Sequence, residues 1–336
     1  MRKIAFLAAA AAALCTIACT KDLETRIDGN GNSESVEMSS ITLQIVGNAP
    51  ATKSADGDFD DDHSVVSNIQ FFVFDGEVLD AYKKITSGTS TTMTVKTGTK
   101  TIWAVVNAPD ITAVTTLTQL KAVSSTLANN GTYFVMVGSD SAEVPVEGDD
   151  PVSIEVKRIA SRVIVKQVTA NFSNPAYAAM SCKLVKMFLI NAPGDINLEL
   201  TAAPTVWYAQ RAYASVTGLN DFLSTTGGNH ELNTSAFETD CYHYCYPNPT
   251  VGDSSSSTWS ARHTRMVIEV LLGSETFYYP VTLPVLEPGK SYEIENLTIT
   301  RKGSSDPDVP VSLSEADFEI SVKNWTTVPV TSGINI

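Results

Sequence analysis

The side chains best suited to chemistry in this sequence are its cysteines, histidines and clustered aspartates. Cys241-Tyr242-His243-Tyr244-Cys245 sets two thiols and an imidazole at alternate positions, with His263 further along. On an extended chain such positions share one face, and thiolate plus imidazole is the donor set zinc accepts. A tetrahedral site needs a fourth ligand, and no spacing supplies one, so no metal is expected. Asp56, Asp58 and Asp60 open like a calcium loop, but Asp61 stands where that loop needs glycine and Ser67 where it needs glutamate. Neither a glycine-rich phosphate loop nor a nucleophile elbow occurs, and no carboxylate spacing singles out an acid–base pair. The expectation is a protein with no catalytic residues and no cofactor.

Cys19 offers a different chemistry. Arg2 and Lys3 precede a 14-residue apolar run from Ile4 to Ile17, long enough for an export signal and too short for a membrane span. Thr16-Ile17-Ala18-Cys19 resembles a lipoprotein processing box, cut between Ala18 and Cys19, with Cys19 then acylated. Cys15 fits less well, because Leu14 would occupy the small-residue position. Acyl chains would be the anchor, and stable anchoring takes more than one. Cys19-Thr20-Lys21-Asp22-Leu23-Glu24 resembles the acidic export tag of surface-displayed lipoproteins. Cys182, Cys241 and Cys245 remain, an odd number that permits one bridge at most; buried thiols and a single late bridge both stay open. With 23 basic and 37 acidic residues the formal charge is −14, which repels phosphate backbones and argues against a nucleic-acid partner.

The elements read as β-rich. Residues 19–40 are polar and rich in Gly, Asn and Ser, a flexible tether. Ile41, Leu43 and Ile45 then alternate with polar residues as a half-buried strand. Ile69-Gln70-Phe71-Phe72-Val73-Phe74 is strongly β-prone and closes on Asp75-Gly76, a hairpin signal. Strands follow over 92–96 and 101–106. Leu117, Leu120, Val123 and Leu127 predict one helix over 116–129, with Gly131 as its C-cap. Strands resume over 133–137 and 152–156, and Lys157-Arg158 with Arg162-Val163-Ile164-Val165 lead into a second unit. Its apolar runs lie over 184–190, 266–272, 277–283 and 292–299, and residues 220–260 between them read as surface loops. Many short strands separated by turn residues argue for sandwiches. The expected fold is mainly all-β: two tandem Greek-key β-sandwiches of the transthyretin/Ig type, with one short helix in the first.

The far end carries an apolar stripe: Val328, Val330, Ile334 and Ile336 recur every second residue with Ser332 among them. Burying the four aliphatics would contribute roughly 6–12 kcal/mol before ordering costs. Pro329, on the other face, has no N–H and needs an edge or a non-bonded position. A docked terminal strand and a strand donated to another chain both fit this pattern.

Taken in order along the chain, these pieces resemble the FimA-like fimbrillins, or type V pilins of Bacteroidales. The resemblance rests on the lipobox, the early strand, the run from Val66 to Gly76, and the segment from Val95 to Asn107 with Gly98, Val105 and Asn107. It also rests on Arg158-Ile159-Ala160-Ser161-Arg162, Leu297-Thr298-Ile299-Thr300, Ser305-Asp306-Pro307 and Lys323-Asn324-Trp325. It implies a surface subunit, exported as an outer-membrane lipoprotein precursor and then built into an extracellular fimbrium. A trypsin-like surface protease would remove the strand carrying Ile41, Leu43 and Ile45, and the terminal strand of an identical or related pilin would replace it. Among basic residues, Lys53 fits the cut, between Lys53 and Ser54; a cut at Arg26 would leave the strand attached. The implied organisation is signal 1–18, lipidated tether 19–40, removable strand and loop 41–53, N-terminal sandwich 54–157, and C-terminal sandwich 158–336 with donor strand 326–336. Asp140-Ser141-Ala142 fits an O-glycosylation pattern similar to one used by exported proteins of this group. The alternative reading is a non-polymerising glycan-binding lipoprotein using Trp207, Tyr208 and Tyr213, or an anchor or tip subunit. Surface ligands are not specified.

Overall fold

The computed structural model describes the backbone of residues 23–27, 33–47, 52–53, 59–60, 66–146, 151–253, 258–310 and 316–325; side chains of 23–36, 47, 52–53 and 59–60 fall outside the description. Ala18, Cys19, Ser54, Val328, Val330, Ile334 and Ile336 therefore lie outside the described residues, as do Asp56 and Asp58.

The first sandwich comprises β1 (Leu23–Ile27), β2 (Ser33–Gly47), the short β3 (Thr52–Lys53) and β4 (Phe59–Asp60), β5 (Ile69–Asp75), β6 (Val78–Ile85), β7 (Ser90–Lys96) and β8 (Gly98–Val106). Helix α1 (Leu117–Ala122), β9 (Ser124–Thr126), β10 (Met136–Val144) and β11 (Val152–Arg158) follow. One layer runs β10-β8-β5-β6 and the other β7-β2-β11. Strand alternation explains how both faces of β5 are used. Ile69, Phe71 and Val73 point between the layers, while Phe72 and Phe74 join a second core on the outer face, covered by Leu120, Leu127 and Phe134. β11 belongs to both layers: Val152–Val156 pairs parallel with β2, then Lys157 and Arg158 pair with β10. Gly138 permits this crossing, because a Cβ there would lie 2.2 Å from the Glu155 carbonyl oxygen. Asp75 pairs with Val78, so the two-residue turn is Gly76-Glu77, and Gly76 takes φ 58°, the left-handed backbone that favours glycine at the first turn position.

The second sandwich contains β12 (Ser161–Val165), β13 (Val168–Ala170), α2 (Pro175–Ala178), β14 (Cys182–Ile190), β15 (Ala192–Pro193), β16 (Asp195–Asn197), β17 (Trp207–Tyr208) and α3 (Asn220–Leu223). It continues with β18 (Ser224–Glu231), β19 (Cys241–Cys245), β20 (Arg265–Leu272), β21 (Glu275–Thr282), β22 (Lys290–Ile299) and β23 (Ala316–Asn324). One sheet is β18-β14-β20-β21. In the other, β22 pairs with β12 and β13 on one side and β23 on the other, and β19 flanks β12. The two sandwiches are joined by more than the chain. β9 pairs with β16, and the Tyr246 hydroxyl, 2.8 Å from Ser125 Oγ, also donates to Thr126 O and accepts from Asn130 Nδ2.

Four expectations change. The tether over 19–40 contains two paired strands, with Leu23 opposite Glu37 and Ile27 opposite Ser33; its turn-forming residues concentrate at 28–32, between them. The helix over 116–129 stops at Ala122 after a Thr116–Gln119 capping box. Ser124–Thr126, poor helix formers, pair instead with β16, and a 3-10 turn over Leu127–Asn130 ends at Gly131, whose φ is −60°. The expected loops over 220–260 include α3, β18 and the buried strand β19. Gly227 allows β18 to lie over Leu184, where a Cβ would come within 2.4 Å of the Leu184 side chain. Short helices α2 and α3 also add to the single one expected.

Candidate functional site

β2 is the element whose placement sets up a function. Its odd-numbered residues face the core: Ile41 and Ile45 are nearly buried and Leu43 is 0% exposed, with Ser39 at 9%. They pack with Phe71, Val73, Met93, Val95, Ile154 and Val156. The three aliphatics contribute roughly 5–9 kcal/mol through burial. β2 lies between β7, antiparallel, and β11, parallel. Ile45 N donates to Thr89 O at 3.0 Å and Thr97 N to Glu37 O at 2.9 Å. On the outer face Thr42 Oγ1 lies 3.0 Å from Thr92 Oγ1, and Gln44 Nε2 donates to Ser153 Oγ at 2.7 Å. Neighbouring strands sit ~4.8 Å apart, so without β2 the edges of β7 and β11 would stand about 10 Å apart, both unpaired over an apolar floor.

The covalent path out of β2 passes through β3, a two-residue strand paired only with β4 among the described residues (Lys53 opposite Phe59). Lys53 thus belongs to a small ribbon outside both sandwich layers. A break after it leaves β2 held by hydrogen bonds and packing alone. Arg26 lies on β1, opposite Glu34, upstream of β2.

At the other end, β23 pairs among the described residues only with β22. Lys323 donates to Glu293 Oε2 at 2.5 Å, and Lys166 reaches the same oxygen at 3.0 Å. Burial pushes the Glu293 carboxyl up, but these two ammonium groups outweigh it and hold it below its ordinary value. Beyond β23, Trp325 is 1% exposed. Its ring meets Phe134 edge-on at 4.7 Å and Tyr244 at 5.5 Å, with the Arg158 and Arg162 guanidinium carbons 4.4 and 5.0 Å from its centroid. Trp325 N donates to Gly289 O, and Arg158 donates to Trp325 O. The residues that follow, 326–336, are outside the described region.

The other sites of the sequence reading do not assemble. Cys241, His243 and Cys245 share β19, but no group of three His, Cys, Asp or Glu residues suited to a metal occurs among the described residues. His263 instead sits 3.3 Å from Asp253. Cys182, Cys241 and Cys245 are buried thiols outside any disulfide, and Cys241 Sγ donates to Thr239 O at 3.2 Å. Burial pushes the Cys182 and Cys245 thiols up to about 12 and the His243 imidazole down to about 4. Trp207, Tyr208 and Tyr213 form no common platform: Trp207 packs on Trp259, Tyr208 covers Gly194, and Tyr213 packs on Phe188 with the Lys186 ammonium 3.9 Å above its ring. Ser141 is exposed on β10, opposite Thr101.

Among solved structures the whole two-sandwich arrangement recurs. A fimbrilin, FimA, from Porphyromonas gingivalis W83 matches at TM-score 0.61 and 15% identity, covering 86% of this chain and 98% of its own. The chain has the fimbrillin fold. A candidate cell-adhesion protein from Bacteroides eggerthii DSM 20697 matches this fold at TM-score 0.62 and 20% identity, covering 88% of this chain and 98% of that one. The C-terminally truncated tip fimbrial protein Mfa3 of Porphyromonas gingivalis does so at 0.54 and 12%, covering 85% of this chain and all of that one. No family model and no curated protein matches. With identities this low, the fimbrillin likeness is one of fold.

Proposed function

We propose that this chain is a structural subunit of a surface fimbrium that polymerises by strand exchange and contributes to adhesion. It is exported as a lipoprotein acylated at Cys19 and activated by cleavage between Lys53 and Ser54. β2 is then released, and the 326–336 segment of an identical or related subunit, with Val328, Val330, Ile334 and Ile336 inward, takes its place. The observation that carries this reading is the position of β2. It is a strand of the first sandwich bonded on both sides, and its covalent link to the strands that follow runs through the segment containing Lys53. Strand addition into such a slot gains main-chain hydrogen bonds from both edges and side-chain selection from the floor. The fimbrial and adhesion descriptions of the structural neighbours support the same reading.

Limited digestion of the purified precursor with a trypsin-like protease tests it. The expected product starts at Ser54 and forms ladders that survive SDS, while Lys53→Gln precursor and a chain lacking 326–336 both remain monomeric. A ladder of equal strength from the truncated chain would remove the tail from the mechanism.

A further inference from the structure

We infer that the incoming strand enters the groove in the same direction as the strand it replaces, parallel to β11 and antiparallel to β7. The inference rests on the strand-exchange reading above and adds to it the polarity of the partner segment.

The groove states its requirements through β2. The Thr97–Glu37 and Ile45–Thr89 bonds show that odd-numbered residues of β2 bond β7, since bonded pairs alternate in an antiparallel ladder. The odd residues are also those facing the core, reading Ser39, Ile41, Leu43 and Ile45. The even, outward-facing residues direct their N–H groups to the other side, where β11 is engaged only from Leu43 to Gly47.

The tail carries one polar residue in its apolar stripe, Ser332, and the groove-facing side of β2 has one buried polar position, Ser39. Matching them leaves two directions. In the direction of β2, Ile334 falls at the place of Ile41 and Ile336 at that of Leu43. Pro329 falls at the place of Val36, which among the described residues pairs with β1 alone, an element that leaves with β2 on cleavage. Its missing N–H then deprives no ladder of a bond. In the opposite direction, Val330 and Val328 fall at Ile41 and Leu43, each one methylene short. The half-turn that reverses the strand also swings its outward residues' N–H groups towards β7. Pro329 then falls at the place of Thr42, opposite Thr92 in the middle of that ladder, where proline removes a bond. Sliding the reversed tail until Pro329 clears β7 places the Ser332 hydroxyl at Leu43, the 0%-exposed position, without a partner. At the Ile41 and Leu43 places side-chain volume favours the first direction, and the proline selects it.

Disulfide trapping in the cleaved, polymerising protein reads the polarity directly. In the proposed direction Asn335 takes the place of Thr42, whose hydroxyl lies 3.0 Å from that of Thr92; in the reverse direction Pro329 does. The expected result is that Asn335→Cys with Thr92→Cys gives an oxidised ladder that survives heating in denaturant without reductant, while Pro329→Cys with Thr92→Cys gives none. The converse pattern overturns the polarity and leaves strand exchange standing, and polymers that trap neither pair overturn it as well. Failure of the cleaved parent protein to polymerise overturns strand exchange itself, and the polarity with it.

Discussion

Leu43→Ala separates the precursor from the polymer more sharply than any change in the permanent core. Leu43 is fully buried between Thr91 and Val152 on the flanking strands, in one core cluster with Phe71 and Val73 of the facing layer and Ile154 of its own. Truncating a buried leucine costs about 2–5 kcal/mol, the upper part where the site does not collapse, and two facing layers leave little room for collapse. The uncleaved chain should therefore unfold at lower denaturant, with its first sandwich opening first. Cleavage removes residue 43, so polymers assembled from the variant should match the parent in denaturant midpoint. The same loss weakens the hold on β2 after cleavage, about tenfold per 1.4 kcal/mol, so the cut variant should assemble faster. Denaturation of uncut monomer and finished polymer, followed by intrinsic fluorescence, measures both sides. A polymer destabilised as much as the precursor would refute the reasoning, because β2 would still be in place.

Trp325→Ala should destabilise by about 3–5 kcal/mol, seen as a lower denaturant midpoint, with Trp325→Phe losing less because an aromatic face remains for Arg158 and Arg162. His243 is held neutral in the fold at about 4, against about 6.5 unfolded. Between those values the unfolded chain binds a proton that the native chain does not, so stability falls as pH drops from 6.5 towards 4, by about 3 kcal/mol at most. His243→Gln should flatten that part of the stability–pH curve. Cys19→Ser should abolish incorporation of labelled palmitate and membrane retention of the precursor.

Much of the fold was legible because its strands follow simple patterns. Ile69 to Phe74 announced a central strand and Asp75-Gly76 its turn, both from local chemistry alone. Ile41, Leu43 and Ile45 were readable as one face of a strand by their spacing of two. What was missed depends on partners distant in sequence. Ser124–Thr126 became a strand because β16 lies beside it, and the Leu117 periodicity could not reveal that. β19 carries tyrosines and cysteines whose burial comes from both sandwiches meeting there. The paired strands of the supposed tether were hidden by polar composition, since a backbone ladder does not require apolar side chains. Trp325 could be singled out in sequence, but not its role: no local pattern predicts two arginines and two aromatics closing around it.

That closure has a mechanical consequence. Trp325 directly precedes the 326–336 tail in the sequence, and its ring is gripped by Phe134 of one sandwich and Tyr244 of the other. In a fibre built as proposed, tension carried along the tail reaches the subunit at this seam before it can peel β23 from its edge. The load is shared by two domains already stitched together at β9 and Tyr246, so each subunit should stretch as one stiff link and leave most of the give to the joints between links.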